Sequence, residues 1–300
     1  MRISKPGIYQ AVAAADYFED PCPEPSLTQS IAKILISQSP LHAKTAHPRL
    51  NPDFEADDAT KFDLGNVAHA LMLGRGKDFD ILPFDDWRKK DAQQAREESH
   101  LAGRVAILAH QFDQATEMVV RAEYQLIGHE DFDAFKQDVG SSEVMIAWQE
   151  EGFWFRSLID FAHIDFCTID DYKTSGMSMA PHVIGIRAEA AGWHVQAAFI
   201  ERGLDILDPA NAGRRRFRFV AQETEKPHAL TVMHMDENWM TMGRKQVETA
   251  VTIWKRCMRT DHWPSYTSRS IVPVFPSYKE SKWLERELSG EFDTSLTMAG

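Results

Sequence analysis

Two aspartates and a lysine lie close together in the middle of the chain and are residue types that perform metal-assisted chemistry. Asp160 ends the segment FWFRSLID, and Asp171 and Lys173 lie at the end of IDFCTIDDYK. Both segments have the residue content of β-strands. Because residues two apart in a strand point to the same face, Asp171 and Lys173 share a face, and Asp160 reaches that face if the two strands pair.

Two carboxylates on the same face of two neighbouring strands favour a cation between them. Held about 4 Å apart, they repel each other by roughly 1 kcal/mol in water and about 4 kcal/mol at an effective dielectric constant of 20. Oxygen ligands with open positions suit Mg²⁺ or Mn²⁺ rather than structural zinc. A neighbouring lysine can orient a water, help to deprotonate it, or offset charge on the transition state. The combination predicts metal-assisted phosphodiester hydrolysis, although an aspartate at a strand end is by itself more often a turn or cap residue.

Two helical segments carry side chains that could complete this site. Gly65 and His69 in GNVAH are four residues apart and therefore lie on one face of a helix. A neutral His69 could give a nitrogen to a metal, or it could be an ordinary core histidine. Gln196 in WHVQAAF could bind a phosphate or orient the lysine, or it could be an amide buried in an amphipathic helix.

The elements that must position these residues follow from the spacing of apolar residues. Segments with helical spacing are 26–38, which opens with the capping-box pair Ser26 and Gln29, then 61–75, 91–126, 181–207 and 237–260. Segments with strand character are 143–149, 153–161, 164–171, 214–224 and 228–236. The first three of these strands are expected to form a meander.

This order of elements predicts an α/β fold with a central mixed β-sheet flanked by helices. We expect a single domain over 1–284. Within it, a helical part to about residue 126 precedes a sheet-containing core over about 140–265. The polar residues 285–300 are expected to form a flexible tail.

The composition excludes several classes of protein. The chain has 300 residues, of which 43% are hydrophobic and 26% charged, so it is not collagen, a coiled coil or a wholly disordered chain. It has no apolar run of about 18 residues, so no membrane span is expected. Without a recognisable secretory signal, a cytoplasmic location is the expectation.

Charge and cysteine content narrow the function further. A net charge of −12 argues against indiscriminate nucleic-acid binding, although acidic and basic residues can be segregated. The three cysteines are widely spaced, so this chain alone cannot supply a four-cysteine zinc or iron–sulfur site. The segment GRGK at 74–77 lacks the spacing of a P-loop, so no ATP-driven activity is expected.

Taken in order, these motifs resemble the PD-(D/E)XK nuclease superfamily. The series is GxxxH, an aspartate, D-x-K with its aspartate eleven residues later, and a helical glutamine about 25 residues further on. The resemblance is closest to the exonuclease VIII (RecE-type) branch, which is related to RecB-like and lambda exonucleases. It covers about residues 26–265 and implies a restriction-endonuclease-like core.

The resemblance implies a role for each motif residue. Lys173 would be the catalytic lysine, and Gln196 would match the glutamine of a Q-x-x-x-Y helix motif whose tyrosine position is Ile200 here. Glu143 resembles an acidic residue often found at the start of the first strand. The implied ligands of Mg²⁺, or of Mn²⁺ in its place, are His69, Asp160, Asp171 and the backbone carbonyl of Tyr172.

Basic residues are candidates for holding DNA. Arg75 and Lys77 follow the His69 helix, and Arg214, Arg215 and Arg216 form a run with Arg218 that leads into a strand. Such residues could track phosphates, or they could form an ordinary solvated face. The resemblance further implies double-stranded DNA ends as substrate, a ring-shaped homo-oligomer, and a single-strand annealing protein as partner in phage-type recombination.

Three functions remain open on the sequence. The first is a metal-dependent DNA exonuclease that degrades linear duplex 5′→3′ and leaves 3′ single strands. The second is a catalytically weak module that binds DNA ends or a recombination partner, for which Ile200 in place of the motif tyrosine is the only support. The third is a nuclease of the same superfamily with endonuclease or single-strand preference.

Overall fold

The computed structural model describes residues 2–10, 12–55, 64–74, 79–102 and 104–292. The chain divides into two compact units, Met1–Pro264 and Ser265–Gly300. The strands of the first unit are β1 (Gly7–Tyr9), β2 (Ser26–Leu27), β3 (Phe79–Leu82), β4 (Val105–Leu108), β5 (Gly140–Glu150), β6 (Phe153–His163), β7 (Thr168–Ser175), β8 (Arg216–Glu223) and β9 (Leu230–His234).

The helices of the first unit connect and cover these strands. They are α1 (Ala14–Phe18), α2 (Gln29–Ser37), α3 (Pro40–Thr45), α4 (Leu64–Leu73), α5 (Lys90–Leu101), α6 (Ala109–Ile127), α7 (Ile184–Ala190), α8 (Trp193–Leu207) and α9 (Glu237–Thr260), with a 3₁₀ turn at Pro209–Asn211. In the second unit, α10 spans Ser277–Leu288. No helix in the described part of the chain is long and apolar enough to cross a bilayer.

The main sheet is mixed, as predicted. Within the described residues it has seven strands in the order β1-β5-β6-β7-β8-β9, with β2 added beside β6. The pair β7–β8 is parallel, whereas β1–β5, β5–β6, β6–β7 and β8–β9 are antiparallel. The start of β6 pairs with β2 and its end pairs with β7, so β6 has a different neighbour at each end. The short strands β3 and β4 form a separate parallel pair.

Helices pack on both faces of the main sheet. One apolar cluster joins α2, α8 and α9 to the sheet and includes Phe219 of β8. A second cluster joins α4 and α6 to the sheet and includes Val220, the next residue of the same strand. Because neighbouring residues of a strand point to opposite faces, these clusters lie on opposite faces. The structure thus confirms the predicted α/β fold with a mixed sheet between helices.

The predicted helix over 26–38 is shorter than expected because Ser26 has another role. Ser26 belongs to β2 and is buried, and its hydroxyl donates a hydrogen bond to Asp20 Oδ1 at 2.8 Å. The helix begins at Gln29, and Thr28 is its cap, accepting a hydrogen bond from the Ile31 N–H at 3.3 Å. The predicted capping box of Ser26 and Gln29 was therefore wrong by two residues.

Two other predicted helices are interrupted. The stretch 91–126 contains β4, whose VAIL sequence is fully buried and pairs with β3, so α5 and α6 are separate helices. The stretch 181–207 breaks at Gly192, where the backbone has φ +67°, a left-handed conformation that glycine adopts without steric cost. The last helix, 237–260, has the predicted bounds.

The second unit starts earlier than the predicted domain boundary. The chain separates after Pro264 rather than after residue 284, and α10 continues through residues 285–288 of the predicted flexible tail. Within this unit, the rings of Trp283 and Phe292 stack with centroids 4.8 Å apart. Residues 293–300 lie outside the described residues.

Candidate active site

The site is built where β6 and β7 stop pairing. Their paired residues are Phe161 with Asp170 and Ala162 with Ile169. One step further along the same register, Asp160 lies across from Asp171. The Tyr172 N–H donates a hydrogen bond to Asp160 Oδ2 at 3.1 Å, so the backbone of β7 holds one carboxylate beside the other. The two carboxylate side chains are only 16% and 6% exposed.

Lys173 and Gln196 close a ring with Asp171. The Lys173 ammonium lies 2.5 Å from Asp171 Oδ1 and donates a hydrogen bond to Gln196 Oε1 at 3.2 Å. The side-chain amide of Gln196 donates in turn to Asp171 Oδ2. Because Gln196 is the fourth residue of α8, the position of that helix fixes the lysine and the carboxylate together.

His69 reaches the same site from α4, on a different element of the fold. Its Nε2 lies 3.0 Å from Asp160 Oδ2, and its ring centroid is 6.3 Å from that of Tyr172. Helix α4 packs on β7 in the cluster that includes Val67 and Tyr172. The structure therefore brings together His69, Asp160, Asp171, Lys173 and Gln196, which the sequence analysis selected.

The surroundings of the two carboxyl groups shift their pKa values in opposite directions. Burial, and then the negative charge of Asp160, raise the pKa of Asp171 to about 6. Burial also acts to raise the pKa of Asp160, but the neighbouring His69 and Lys173 outweigh it and leave that pKa below its ordinary value. Asp160 is the stable anion of the pair, and a negative charge on Asp171 is costly unless a further cation is present.

The pKa values of the two cationic partners, Lys173 and His69, are both raised. Burial acts to lower the pKa of Lys173, but Asp171 and Asp160 outweigh it and raise that pKa overall. The pKa of His69 is raised as well, since Asp160 outweighs the effect of burial. Lys173 is therefore a charged ammonium at neutral pH and can serve as a hydrogen-bond donor rather than as a base.

The donor set fits a hard divalent cation. Asp171 Oδ1 is buried, and its contact in the structure is the ion pair with the Lys173 ammonium, 2.5 Å away. Asp160 lies beside it, and burial together with the charge of Asp160 raises the pKa of Asp171 to about 6, so this pair of oxygen ligands is the kind of site that a hard divalent cation stabilises. Within the described ranges, no three His, Cys, Asp or Glu side chains already form a metal-binding group. Instead, His69 contacts Asp160, and Asp171 contacts Lys173 and Gln196.

Glu143 lies inside β5 rather than at its start. The β5–β6 register pairs Ser142 with Phe161 and Val144 with Ile159, which places Glu143 across from Asp160. Its backbone has φ +51°, a left-handed conformation that is unusual for a residue with a side chain. The pairing of β5 with β6 is interrupted at this position, where the chain carries a third acidic residue opposite Asp160.

The predicted DNA-binding arginines 214–216, which lead into β8, do not form one surface. Arg214 and Arg216 are exposed, and Arg216 lies across from Thr168, three residues and therefore about 10 Å before Asp171 on β7. The Arg215 guanidinium is fully buried, where it pairs with Asp205 and donates to the carbonyl of Leu204. A DNA-binding role for Arg215 is therefore corrected to a structural one. The predicted contacts Arg75 and Lys77 lie outside the described residues.

A buried ion-pair network next to Asp171 could not be predicted from the sequence. The Arg218 guanidinium binds Asp170, the neighbour of Asp171, at 2.5 and 2.9 Å. It also binds Asp131 at 3.1 Å and Asp133 at 2.7 Å in the segment that joins α6 to β5. Only its position among basic residues drew attention to Arg218. No local pattern reports partners that are 48 to 87 residues distant in the chain.

Ile200 faces the core. It is 2% exposed and belongs to the apolar cluster of α2, α8 and α9. The residue at the tyrosine position of the Q-x-x-x-Y motif thus packs inside the protein, whereas Gln196, one turn earlier, reaches the carboxylates.

Comparison with known proteins agrees with this architecture. The family model of a PDDEXK-like domain of unknown function (DUF3799) matches residues 32–270. The chain is also similar to a solved structure from Eubacterium rectale described as a "Putative exonuclease", with a TM-score of 0.57 and 12% identity. That alignment covers 93% of this chain and 98% of the other, and at this identity it supports the fold. No curated protein matches the chain. The matched family spans most of the chain, so the protein belongs to the PDDEXK-like family DUF3799, within the PD-(D/E)XK superfamily that its motifs resemble.

Proposed function

We propose that the protein is a divalent-metal-dependent DNA exonuclease. It would hydrolyse the phosphodiester bonds of linear duplex DNA, 5′→3′, and leave 3′ single strands for homologous recombination. The observation that carries this proposal is the position of Asp160 across from Asp171, with Lys173 held against Asp171 by Gln196. The family match and the name of the similar solved structure support the same reading.

The residues of the site have separable tasks in this reaction. A cation such as Mg²⁺ or Mn²⁺, held by His69, Asp160, Asp171 and the Tyr172 carbonyl, would supply Lewis-acid stabilisation of negative charge at the phosphate. The Lys173 ammonium can donate a hydrogen bond to a phosphate oxygen or to the attacking water. Gln196 keeps Lys173 and Asp171 at a fixed separation, which reduces the reorganisation needed when substrate binds.

The broader setting is part of the proposal and rests on the resemblance. A ring-shaped homo-oligomer would keep the enzyme on its duplex, and a single-strand annealing protein would receive the 3′ strand. The alternatives are an endonuclease or single-strand-specific nuclease built on the same site, and a module that binds DNA ends without cleaving them. Each alternative predicts a different product from the same DNA substrates.

The test is digestion of linear duplex DNA that carries a 5′ label on one strand. With Mg²⁺, wild-type protein should release label from the 5′ end, and EDTA should abolish the release. Lys173→Ala should be inactive, whereas Lys245→Ala, at an exposed position on α9, should match wild type. Closed circular duplex should resist digestion.

Each other outcome contradicts a defined part of the proposal. Cleavage of the closed circle indicates an endonuclease, and digestion of single strands alone indicates the other nuclease class. DNA binding without any hydrolysis indicates a binding module. A Lys173→Ala variant with wild-type activity removes the assigned role of the lysine.

A further inference from the structure

Lys33 borders the site from α2 and has no role in the arrangement described so far. Its ammonium donates a hydrogen bond to the Ala191 carbonyl at 3.2 Å, just after the end of α7. Its methylene stem packs on Gly192, where an added Cβ would lie only 2.7 Å from Lys33 Cδ. The Gln196 N–H donates to the Gly192 carbonyl at 3.1 Å, so Lys33 lies against the turn of α8 that carries Gln196.

The charge of Lys33 is not balanced by an ion pair. The side chain is half-buried, and among the residues that the structure describes no carboxylate forms an ion pair with it. Burial and the positive charge of Lys173 lower its pKa, and Asp171 acts in the opposite direction. By geometry, Lys33 lies against Gly192, one helical turn from Gln196, whose side chain binds both Lys173 and Asp171. An anion at this end of α8 would interact favourably with an ammonium that has no carboxylate partner.

We propose that Lys33 binds a phosphate of the DNA strand held in the active site, adjacent to the phosphodiester that is hydrolysed. This inference rests on the proposed nuclease function and deepens it, because it assigns a second substrate-binding cation on a different helix from Gln196. The phosphate would receive a charge-assisted hydrogen bond from Lys33 while Lys173 serves the reacting group.

A purely structural role for Lys33 is the competing explanation. A cation near the C-terminal end of a helix is favourable, and the bond to Ala191 could be its whole purpose. Lys33→Gln separates the two roles, because glutamine keeps much of the stem and an N–H donor for Ala191 but removes the charge. Lys33→Arg keeps the charge, and Lys245→Gln removes one exposed charge from a different helix, α9.

The experiment measures binding of a fluorescent duplex by anisotropy in Ca²⁺, across a range of salt concentrations, together with the melting temperature and the steady-state kinetics in Mg²⁺. Loss of one phosphate contact should make the slope of log K against log salt shallower by about 0.7 to 0.9. We expect this change for Lys33→Gln only, with an unchanged melting temperature and a rise in KM that exceeds the fall in kcat. Lys33→Arg should restore the wild-type slope.

The opposite results overturn the inference. An unchanged salt slope and affinity in Lys33→Gln, with or without a lower melting temperature, would leave only the structural role. If wild-type protein cleaves DNA and Lys33→Gln has the same affinity, salt slope and kinetics as wild type, only the Lys33 inference fails. If wild-type protein neither binds nor cleaves DNA, the proposed function fails together with it.

Discussion

The backbone N–H of Tyr172 donates a hydrogen bond to the side chain of Asp160, with 3.1 Å between the nitrogen and Oδ2. This bond lies just beyond the last paired positions of the two strands, one residue past Phe161 on β6 and two residues past Asp170 on β7. A side chain thus links the two strands where their backbones separate, and the carboxylate of Asp160 is fixed by the strand that carries Asp171 and Lys173. The chemistry proposed for the site depends on that placement.

Gln196 should act as a positioning residue for Lys173 and Asp171. Gln196→Leu removes both side-chain hydrogen bonds while it keeps a similar volume at a position that is 7% exposed. Loss of such a supporting contact usually costs about 10- to 100-fold in activity or metal affinity. We expect kcat to fall by that factor and the melting temperature to change little, whereas Gln94→Leu, at an exposed position on α5, should leave kcat unchanged. Equal kcat values for the two variants would show that Gln196 does not position the lysine.

Arg218 should stabilise the fold rather than bind DNA. Its guanidinium is 4% exposed and pairs with Asp170, which is fully buried. Arg218→Met leaves that carboxylate without its cation, so we expect a loss of about 3–5 kcal/mol in the free energy of unfolding, measured by urea titration. Arg88→Met, where the arginine is 91% exposed, should lose less than about 1 kcal/mol. A loss for Arg218→Met as small as that for Arg88→Met would contradict this assignment.

The sheet and the site were predictable where the pattern is local. The strand-like segments around Asp160 and Asp171 are separated by turn signals such as EEG. Their order and antiparallel pairing could therefore be predicted from the sequence. The facing of Asp160 and Asp171 required only that these two strands pair. Gln196 could be placed because the helical spacing after the third strand is clear.

The features that escaped prediction depend on distant partners. Ser26 was interpreted as a helix cap, but its hydroxyl binds Asp20 and accepts a hydrogen bond from Arg156, 130 residues later in the chain. Arg215 reads as part of a basic run, yet it is buried against Asp205. Tertiary packing decides whether a charged side chain faces solvent or a buried partner. The spacing of residue types along the sequence does not show this packing.

The close crossing of α8 and α9 should depend on Gly243. A Cβ at this position would lie 2.3 Å from the His194 carbonyl oxygen and 2.9 Å from Ala198 Cβ, so the helices must move apart to admit it. Gly243→Ala should therefore destabilise the protein by about 1–3 kcal/mol in urea titration. Gly128→Ala, where a Cβ would meet nothing within 4 Å, should change stability by less than about 0.5 kcal/mol. A Gly243→Ala variant as stable as Gly128→Ala would mean that the crossing is looser than described.

His47 should make stability depend on pH. Its Nδ1 accepts a hydrogen bond from the Arg49 N–H and its Nε2 lies 3.1 Å from the Ser26 carbonyl, an arrangement that suits the neutral ring. Burial lowers the pKa of His47 to about 4. The unfolded chain, with a histidine pKa near 6.5, binds the proton first, so stability is present above about pH 6.5 and is lost as the pH falls towards 4.

The expected loss from His47 is up to about 3 kcal/mol over that interval. His47→Asn keeps an acceptor for the Arg49 N–H but cannot be protonated there, so its unfolding free energy should fall less steeply between pH 6.5 and 4.5. Urea titrations of both proteins across this range supply the comparison. Parallel curves for the two proteins would show that His47 is not the group responsible.

The most direct test of the account is Mn²⁺ binding to wild-type protein and to Asp171→Asn, measured by electron paramagnetic resonance of free Mn²⁺, with Asp165→Asn as a control at a turn outside the site. Asparagine at position 171 preserves the shape of the side chain and removes its charge. If Asp160 and Asp171 hold a divalent cation, wild-type protein and Asp165→Asn should bind Mn²⁺, and Asp171→Asn should bind it at least about 100-fold more weakly. Equal affinity of the three proteins, or no Mn²⁺ binding by wild-type protein, would contradict a metal site between these two strands.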